Sequence, residues 1–232
     1  MGDNGASDDV KSRLALALDV DDLVAANRLA RELQPWFGVA KIGLELYSAA
    51  GPDSIGALRD LGYEVFLDLK LHDIPTTVNR AARVLGALGV DYLTLHAHGG
   101  VPMLKAGVDG LEEGARNAGL EPPVALAVTV LTSDDDAPSH IVPKRVRVAA
   151  EGGCGGLILA AGDLKDAREF APRLRRVVAG IRPEGVPQHD QVRSATPRQA
   201  IDQGADMLVI GRAVTRADQP ARAAEAIAAE IS

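Results

Sequence analysis

The sequence predicts an α/β fold, a closed (β/α)8 TIM barrel in a single domain, on three observations. The chain has 232 residues, a length that such a barrel fills as one domain. Eight short apolar runs alternate with longer amphipathic stretches, and strands alternating with helices pair in parallel. Polar side chains recur at the C-terminal ends of the runs, where barrel active sites lie. A doubly wound open sheet is the structural alternative; eight strands and a site spread over several strand ends favour closure.

The first thirteen residues, MGDNGASDDVKSR, are polar and acidic. They read as a flexible N-terminal tail, leaving 14–232 for the barrel. The apolar runs follow as LALALDV (14–20), GVAKIG (38–43), YEVFLDLK (63–70), VDYLTLHA (90–97), VALAVTVL (124–131), GGLILAA (155–161), RVVAGI (176–181) and ADMLVIG (205–211). Between them DDLVAANRLARELQ, TTVNRAARVLGALG and TPRQAIDQG carry helical patterns. In the last, Thr196 is placed as an N-cap and Pro197 as the first helical residue. ADQPARAAEAIAAEI closes the chain as a final helix. No Pro-, Gly- or Ser-rich linker divides the chain. RPEGVPQHDQVRSATP (182–197) is long and irregular and is predicted to be a functional loop.

Composition excludes some function classes. Hydrophobic residues make up 47%, enough for a sizeable core. The formal net charge of −7 gives no support to a nucleic-acid partner, which wants a basic face. It leaves room for a local basic pocket that takes an anionic small molecule. Cys154 is the sole cysteine, so no disulfide forms within the chain and no cysteine cluster can hold a metal. The start lacks the apolar core of a signal peptide, and no apolar run is long enough to span a bilayer. The expectation is a cytoplasmic protein with no membrane partner.

The stretch FLDLKLHDIP (66–75) carries the chemistry. Four polar groups, Asp68, Lys70, His72 and Asp73, fall within six positions of a strand that otherwise looks buried, and buried polar groups cost free energy unless something uses them. By alternation, Val65, Leu67, Leu69 and Leu71 share one face and Phe66, Asp68, Lys70 and His72 the other. In a barrel the second face turns inward. The plainer alternative is an exposed strand with a surface Asp–Lys pair, which fits poorly with a parallel sheet covered on both faces.

Other strand ends repeat the pattern. LALALD ends in Asp19, GVAKIG carries Lys41, LTLHAHGG ends in His96 and His98, and AVTVLTS ends in Thr132 and Ser133. Asp19 alone could instead cap the next helix, and His96 alone could be a hydrogen-bonded core histidine. Together they suggest one convergent site. Gly211 and Arg212 after strand eight, with Arg182 and Gln191 after strand seven, suit a phosphate dianion through backbone N–H groups and guanidinium forks. Two lysines and two aspartates nearby form an alternating charge cluster that can hold a lysine protonated and ready as an acid. No His/Asp/Glu set has metal-ligand spacing, and no Ser–His–Asp or Cys–His arrangement supports acyl transfer.

The motifs ALDV, KIGLELYSAAGP, FLDLKLHDIPTTV, VTVLTS, GIRPEG…DQVR…TP and GADMLVIGRAVT occur in this order. From about residue 14 to 225 the chain resembles the bacterial type of orotidine 5′-monophosphate decarboxylase. D-x-K-x-x-D-I-P-x-T is the specific core; D-x-K-x-x-D alone is shared with related sugar-phosphate enzymes. His98 stands where a smaller residue is expected, and GGLILAAGDL is a loose match.

The resemblance implies a homodimeric barrel with shared active sites, a lyase of pyrimidine (UMP) biosynthesis. It would convert orotidine 5′-monophosphate to UMP and CO2 without metal or cofactor. It implies that Asp68 sits beside the substrate carboxylate and that Lys70 protonates C6. Lys41 and Asp73 complete the charge network, Asp73 coming from the partner subunit. Asp19 and Lys41 bond ribose hydroxyls, Thr77 of the partner subunit reaches the ribose, and Thr132 bonds the pyrimidine edge. Arg182, Gln191, Gly211 and Arg212 hold the phosphate. Two rivals remain at this point: a magnesium-dependent keto-sugar-phosphate decarboxylase or hexulose-phosphate synthase, and a catalytically silent phosphate-ligand binding protein. The Ile74-Pro75-x-Thr77 extension and VTVLTS favour the pyrimidine.

Overall fold

A computed structural model describes residues 5–134, 136–183 and 194–232. Eight strands run parallel and close on themselves: β1 (Leu14–Ala17), β2 (Val39–Ile42), β3 (Glu64–Leu71), β4 (Tyr92–His96), β5 (Val124–Val128), β6 (Gly156–Leu159), β7 (Arg175–Val178) and β8 (Met207–Ile210). β1 pairs with both β2 and β8, which shuts the barrel and removes the open-sheet alternative. Each of the eight apolar runs holds one strand. β1, β5 and β7 end before their runs do, so Asp19, Thr132 and Arg182 lie on loops past the strand ends.

Helices surround the sheet: α1 (Asp8–Ser12), α2 (Leu23–Leu33), α3 (Leu44–Ala50), α4 (Asp53–Asp60), α5 (Pro75–Ala87), α6 (Gly100–Asn117), α7 (Ile141–Glu151), α8 (Leu164–Phe170), α9 (Pro197–Asp202), α10 (Arg212–Thr215) and α11 (Pro220–Ile231). Among the described residues none is long and apolar enough to cross a membrane. α9 starts as its sequence predicts: Thr196 and Gln199 form a reciprocal capping box and Pro197 opens the helix.

The N-terminal tail needs correction. Residues 1–4 lie outside the described residues, but α1 is an ordered turn capped by Ser7, and its Val10 is buried. The Lys11 carbonyl accepts from Gly38 N–H at 2.9 Å, so the turn is tied to the start of β2. Val10, the one apolar residue within DDVKS, is too weak a periodic signal to reveal this.

Two apolar layers result from strand alternation. Val65 and Leu67 belong to the large outer cluster between sheet and helices. Ala15, Val39, Phe66, Tyr92, Leu126, Val128, Ile158, Val177 and Met207 fill the barrel interior. This inner plug is the floor on which the site stands. α5 and α6 press closely together because α6 presents glycines: a Cβ at Gly110 would strike the Asn79 carbonyl, and one at Gly114 the Arg83 carbonyl. That contact fixes α5, the helix entered through Asp73 and Ile74.

Candidate active site

β3 departs from regular pairing where the charges lie. Leu67 pairs with Leu93 and Leu71 with Leu95, so four steps on β3 oppose two on β4. The extra residues bulge out at Asp68–Lys70, and bulges commonly re-aim side chains beside active sites. Lys70 has φ +51°, the one positive φ at a non-glycine among the described residues. Asp68 and Lys70 both face the interior, as alternation predicts, and line a cavity of about 320 Å³ at the C-terminal mouth of the barrel. Beyond the bulge strict alternation fails. His72 lies outside this cavity, against His96 and His98, with ring centroids 5.6 and 5.5 Å away.

The charged groups form a chain. Lys70 Nζ donates to Asp68 Oδ2 at 2.8 Å, and Lys41 Nζ lies 3.8 Å from the same oxygen. Lys41 Nζ also donates to Asp19 Oδ1 at 3.0 Å. Asp19 is therefore an ion-pair partner; the cap of α2 is Asp22, which accepts from Val24 and Ala25 N–H. Burial by itself would raise the Asp68 carboxyl. The Lys41 and Lys70 charges, with hydrogen bonds from Lys70 and Thr94, outweigh it and hold the group below its ordinary range, so it is ionised at neutral pH.

Gly43 makes the Asp19–Lys41 contact possible. A Cβ there would stand 3.0 Å from Asp19 Oδ1 and 3.2 Å from Lys41 Nζ. Neither Gly43 nor Thr94 stood out in the sequence. A glycine after a strand reads as ordinary turn chemistry, and a strand threonine as ordinary β-propensity.

The wall opposite the lysines is built from β5, β7 and β8. Thr132, Arg182, Gly211 and Arg212 line the same cavity as Asp19, Lys41, Asp68 and Lys70. Arg182 is buried; its Nη1 donates to the Ile181 carbonyl at 2.8 Å, and its backbone N–H to the Ala195 carbonyl at 2.9 Å. That second bond anchors the far end of the 182–197 loop. Gln191 lies outside the described residues. Phe66, Val128, Ile158 and Val209 supply an apolar floor, which lowers the local dielectric and strengthens every charge interaction above it.

Two expected site residues do not reach this cavity. Asp73 is exposed and its Oδ1 accepts from Ile74 N–H at 2.6 Å; Thr77 is exposed on the first turn of α5. The strand-end histidines form a separate group beside Arg145, whose Nη2 lies 3.3 Å from His98 Nδ1. Burial, then the neighbouring Arg145, His72, His98 and Lys70, lowers His96 to about 4, so it is neutral at pH 7. Among the described residues no group of three or more His, Cys, Asp or Glu could hold a metal ion.

Comparison with known proteins matches this geometry to a family. The chain is 42% identical over 233 residues to the orotidine 5′-phosphate decarboxylase of Moorella thermoacetica, covering 95% of this chain and 92% of that protein. It is 43% identical over 230 residues to the enzyme of that name from an Anaeromyxobacter species, covering 94% and 98%. The crystal structure of orotidine 5′-phosphate decarboxylase from Lactobacillus acidophilus superposes with a TM-score of 0.81 at 35% identity, covering 95% of this chain and 99% of that one. The model of the orotidine 5′-phosphate decarboxylase / HUMPS family matches residues 12–227, and the chain belongs to that family.

Proposed function

We propose that this protein converts orotidine 5′-monophosphate to UMP and CO2 in pyrimidine biosynthesis, with no metal or cofactor. The observation that carries the reading is the Asp19–Lys41–Asp68–Lys70 charge chain on an apolar floor, facing two arginines across one cavity. Relatives sharing 42–43% of its residues bear the name of this enzyme.

The chemistry fits the groups present. Breaking the C6–carboxylate bond leaves the electron pair in an in-plane orbital at C6, where the pyrimidine π system cannot delocalise it. A positive group fixed close to C6 stabilises that charge as it forms, and pre-fixed charges cost no reorganisation at the moment of reaction. Lys70 supplies the charge and then gives an Nζ proton to C6, filling the valence that CO2 vacates. Asp68 keeps Lys70 in place through the 2.8 Å bond. It also faces the substrate carboxylate, a repulsion that disappears as CO2 leaves. Lys41 and Asp19 bond the ribose hydroxyls, and Thr132 the pyrimidine edge. Arg182, Gln191, Gly211 and Arg212 grip the phosphate and hold the reacting carbon over Lys70.

The working unit is a homodimer. Asp73 and Thr77 follow the strand that carries Asp68 and Lys70, yet both are exposed and neither lines this chain's cavity. Ile74 between them is 66% exposed, and an apolar side chain so placed supports burial against a second copy. Across a two-fold axis, Asp73 and Thr77 complete the partner's site, and the partner's copies complete this one.

The test is the fall in orotidine monophosphate absorbance with purified protein in excess EDTA. Turnover undiminished by the chelator is expected. An enzyme that stops in EDTA and restarts with magnesium would replace this reading with a metal-dependent sugar-phosphate reaction.

A further inference from the structure

Thr94 lies on β4 opposite the β3 bulge, between the register pairs Leu67–Leu93 and Leu71–Leu95. Its side chain is fully buried and points into the barrel above Tyr92. The bulge takes the Lys70 N–H out of the regular ladder, where a buried amide without an acceptor costs stability. Thr94 Oγ1 accepts that N–H at 2.8 Å. The same hydroxyl donates to Asp68 Oδ1 at 3.0 Å. A hydroxyl can accept and donate at once, so one oxygen holds both the left-handed backbone of Lys70 and the carboxylate that orients the Lys70 ammonium. Asp68 is thus held at both ends, by Thr94 on Oδ1 and by Lys70 on Oδ2. Thr94 is not among the residues lining the cavity.

We propose that Thr94 is a positioning residue for decarboxylation: its hydroxyl sets the separation and aim of Asp68 and Lys70 without touching substrate. The inference rests on the function proposed above. It follows that losing the hydroxyl slows the chemical step and leaves substrate binding nearly intact. Small misplacements of a catalytic group cost up to about 100-fold in rate.

The experiment measures kcat and KM for orotidine monophosphate with wild type, Thr94→Val and Thr94→Ser, together with UMP affinity. Thr94→Val keeps the shape and removes both hydrogen bonds. The expected result is a kcat about 10- to 100-fold lower, with KM and UMP affinity within about 3-fold of wild type. Thr94→Ser keeps the hydroxyl and restores kcat to within about 3-fold. A role confined to folding would lower the amount of active enzyme and the melting temperature, with no serine rescue that tracks kcat. Should Thr94→Val not fold, Thr94→Ser and Thr94→Cys, which differ in one atom, carry the test; kcat is expected at least about 10-fold lower for the thiol. Equal kcat for that pair, or a folded Thr94→Val with wild-type kcat, overturns the inference alone. A wild-type protein inert toward orotidine monophosphate overturns the functional reading beneath it.

Discussion

The Asp68 carboxylate and the Lys70 ammonium, two positions apart on one bulged strand, meet at 2.8 Å inside the barrel. The contact makes stability depend on pH with a definite sign. Asp68 titrates below its ordinary 3.8 in the folded protein, so folding favours the ionised form. Its contribution is complete above the unfolded value and is lost as pH falls through the lower folded one. Urea unfolding of wild type and Asp68→Asn, followed from about pH 7 to about pH 3, is expected to show a wild-type advantage that is constant above about pH 5 and shrinks below it. An advantage unchanged at low pH would mean that the charge of Asp68 adds nothing to the fold.

A shared site has an arithmetic signature. Lys70→Ala and Asp73→Asn homodimers are each expected to be nearly inactive. Subunit exchange between them yields mixed dimers in which one site carries both changes and the other neither. Half-mixed material should regain about a quarter of wild-type activity, counted per site under random exchange. Absence of recovery, with exchange verified by mass spectrometry, would return Asp73 to its own subunit's site.

The proposed phosphate grip can be separated from the chemistry. A charge-assisted hydrogen bond contributes about 1.5–3 kcal/mol. Arg212→Ala is therefore expected to lower kcat/KM for the nucleotide by about 10- to 150-fold. The nucleoside orotidine lacks the phosphate and should react poorly with either enzyme, at nearly equal rates. An equal loss on both substrates would assign Arg212 to the scaffold.

Gly43 offers a subtler perturbation. The Cβ of Gly43→Ala would push on Asp19 Oδ1 and Lys41 Nζ, both side-chain rather than backbone atoms. Stability is expected to change by less than about 1 kcal/mol, while KM rises by about 3- to 10-fold through loosened ribose contacts. Calorimetry and steady-state kinetics on the same preparation check both halves. A large drop in melting temperature with KM unchanged would refute the assignment.

The barrel was legible because its signal is periodic: eight apolar runs, each short enough for a strand and each followed by a helical stretch. Asp68 and Lys70 were legible for a related reason, since charges two apart on a buried strand contradict its pattern and so call for a use. Features set by tertiary context were not. Alternation placed His72 with Lys70, but the bulge between Leu67 and Leu71 ends that alternation, and nothing in the letters LDLKL marks a bulge. Asp19 reads equally well as a helix cap in the sequence, and only β2, which delivers Lys41 to it, shows that it is an ion-pair partner while Asp22 caps α2. Thr94 is unremarkable as a strand residue, and only the geometry across β3 and β4 reveals its two bonds.

The φ of +51° at Lys70 also constrains how this protein can be improved. A left-handed conformation costs an ordinary residue about 1–2 kcal/mol that glycine does not incur. The substitution that relaxes this backbone best is thus one that deletes the proposed proton donor. Glycine at position 70 relieves that strain but gives up the 2.8 Å bond to Asp68, so selection for heat resistance alone weighs these two terms and places no value on the ammonium itself. A thermostable working enzyme has to be sought at other positions, with turnover kept as a second criterion in every round.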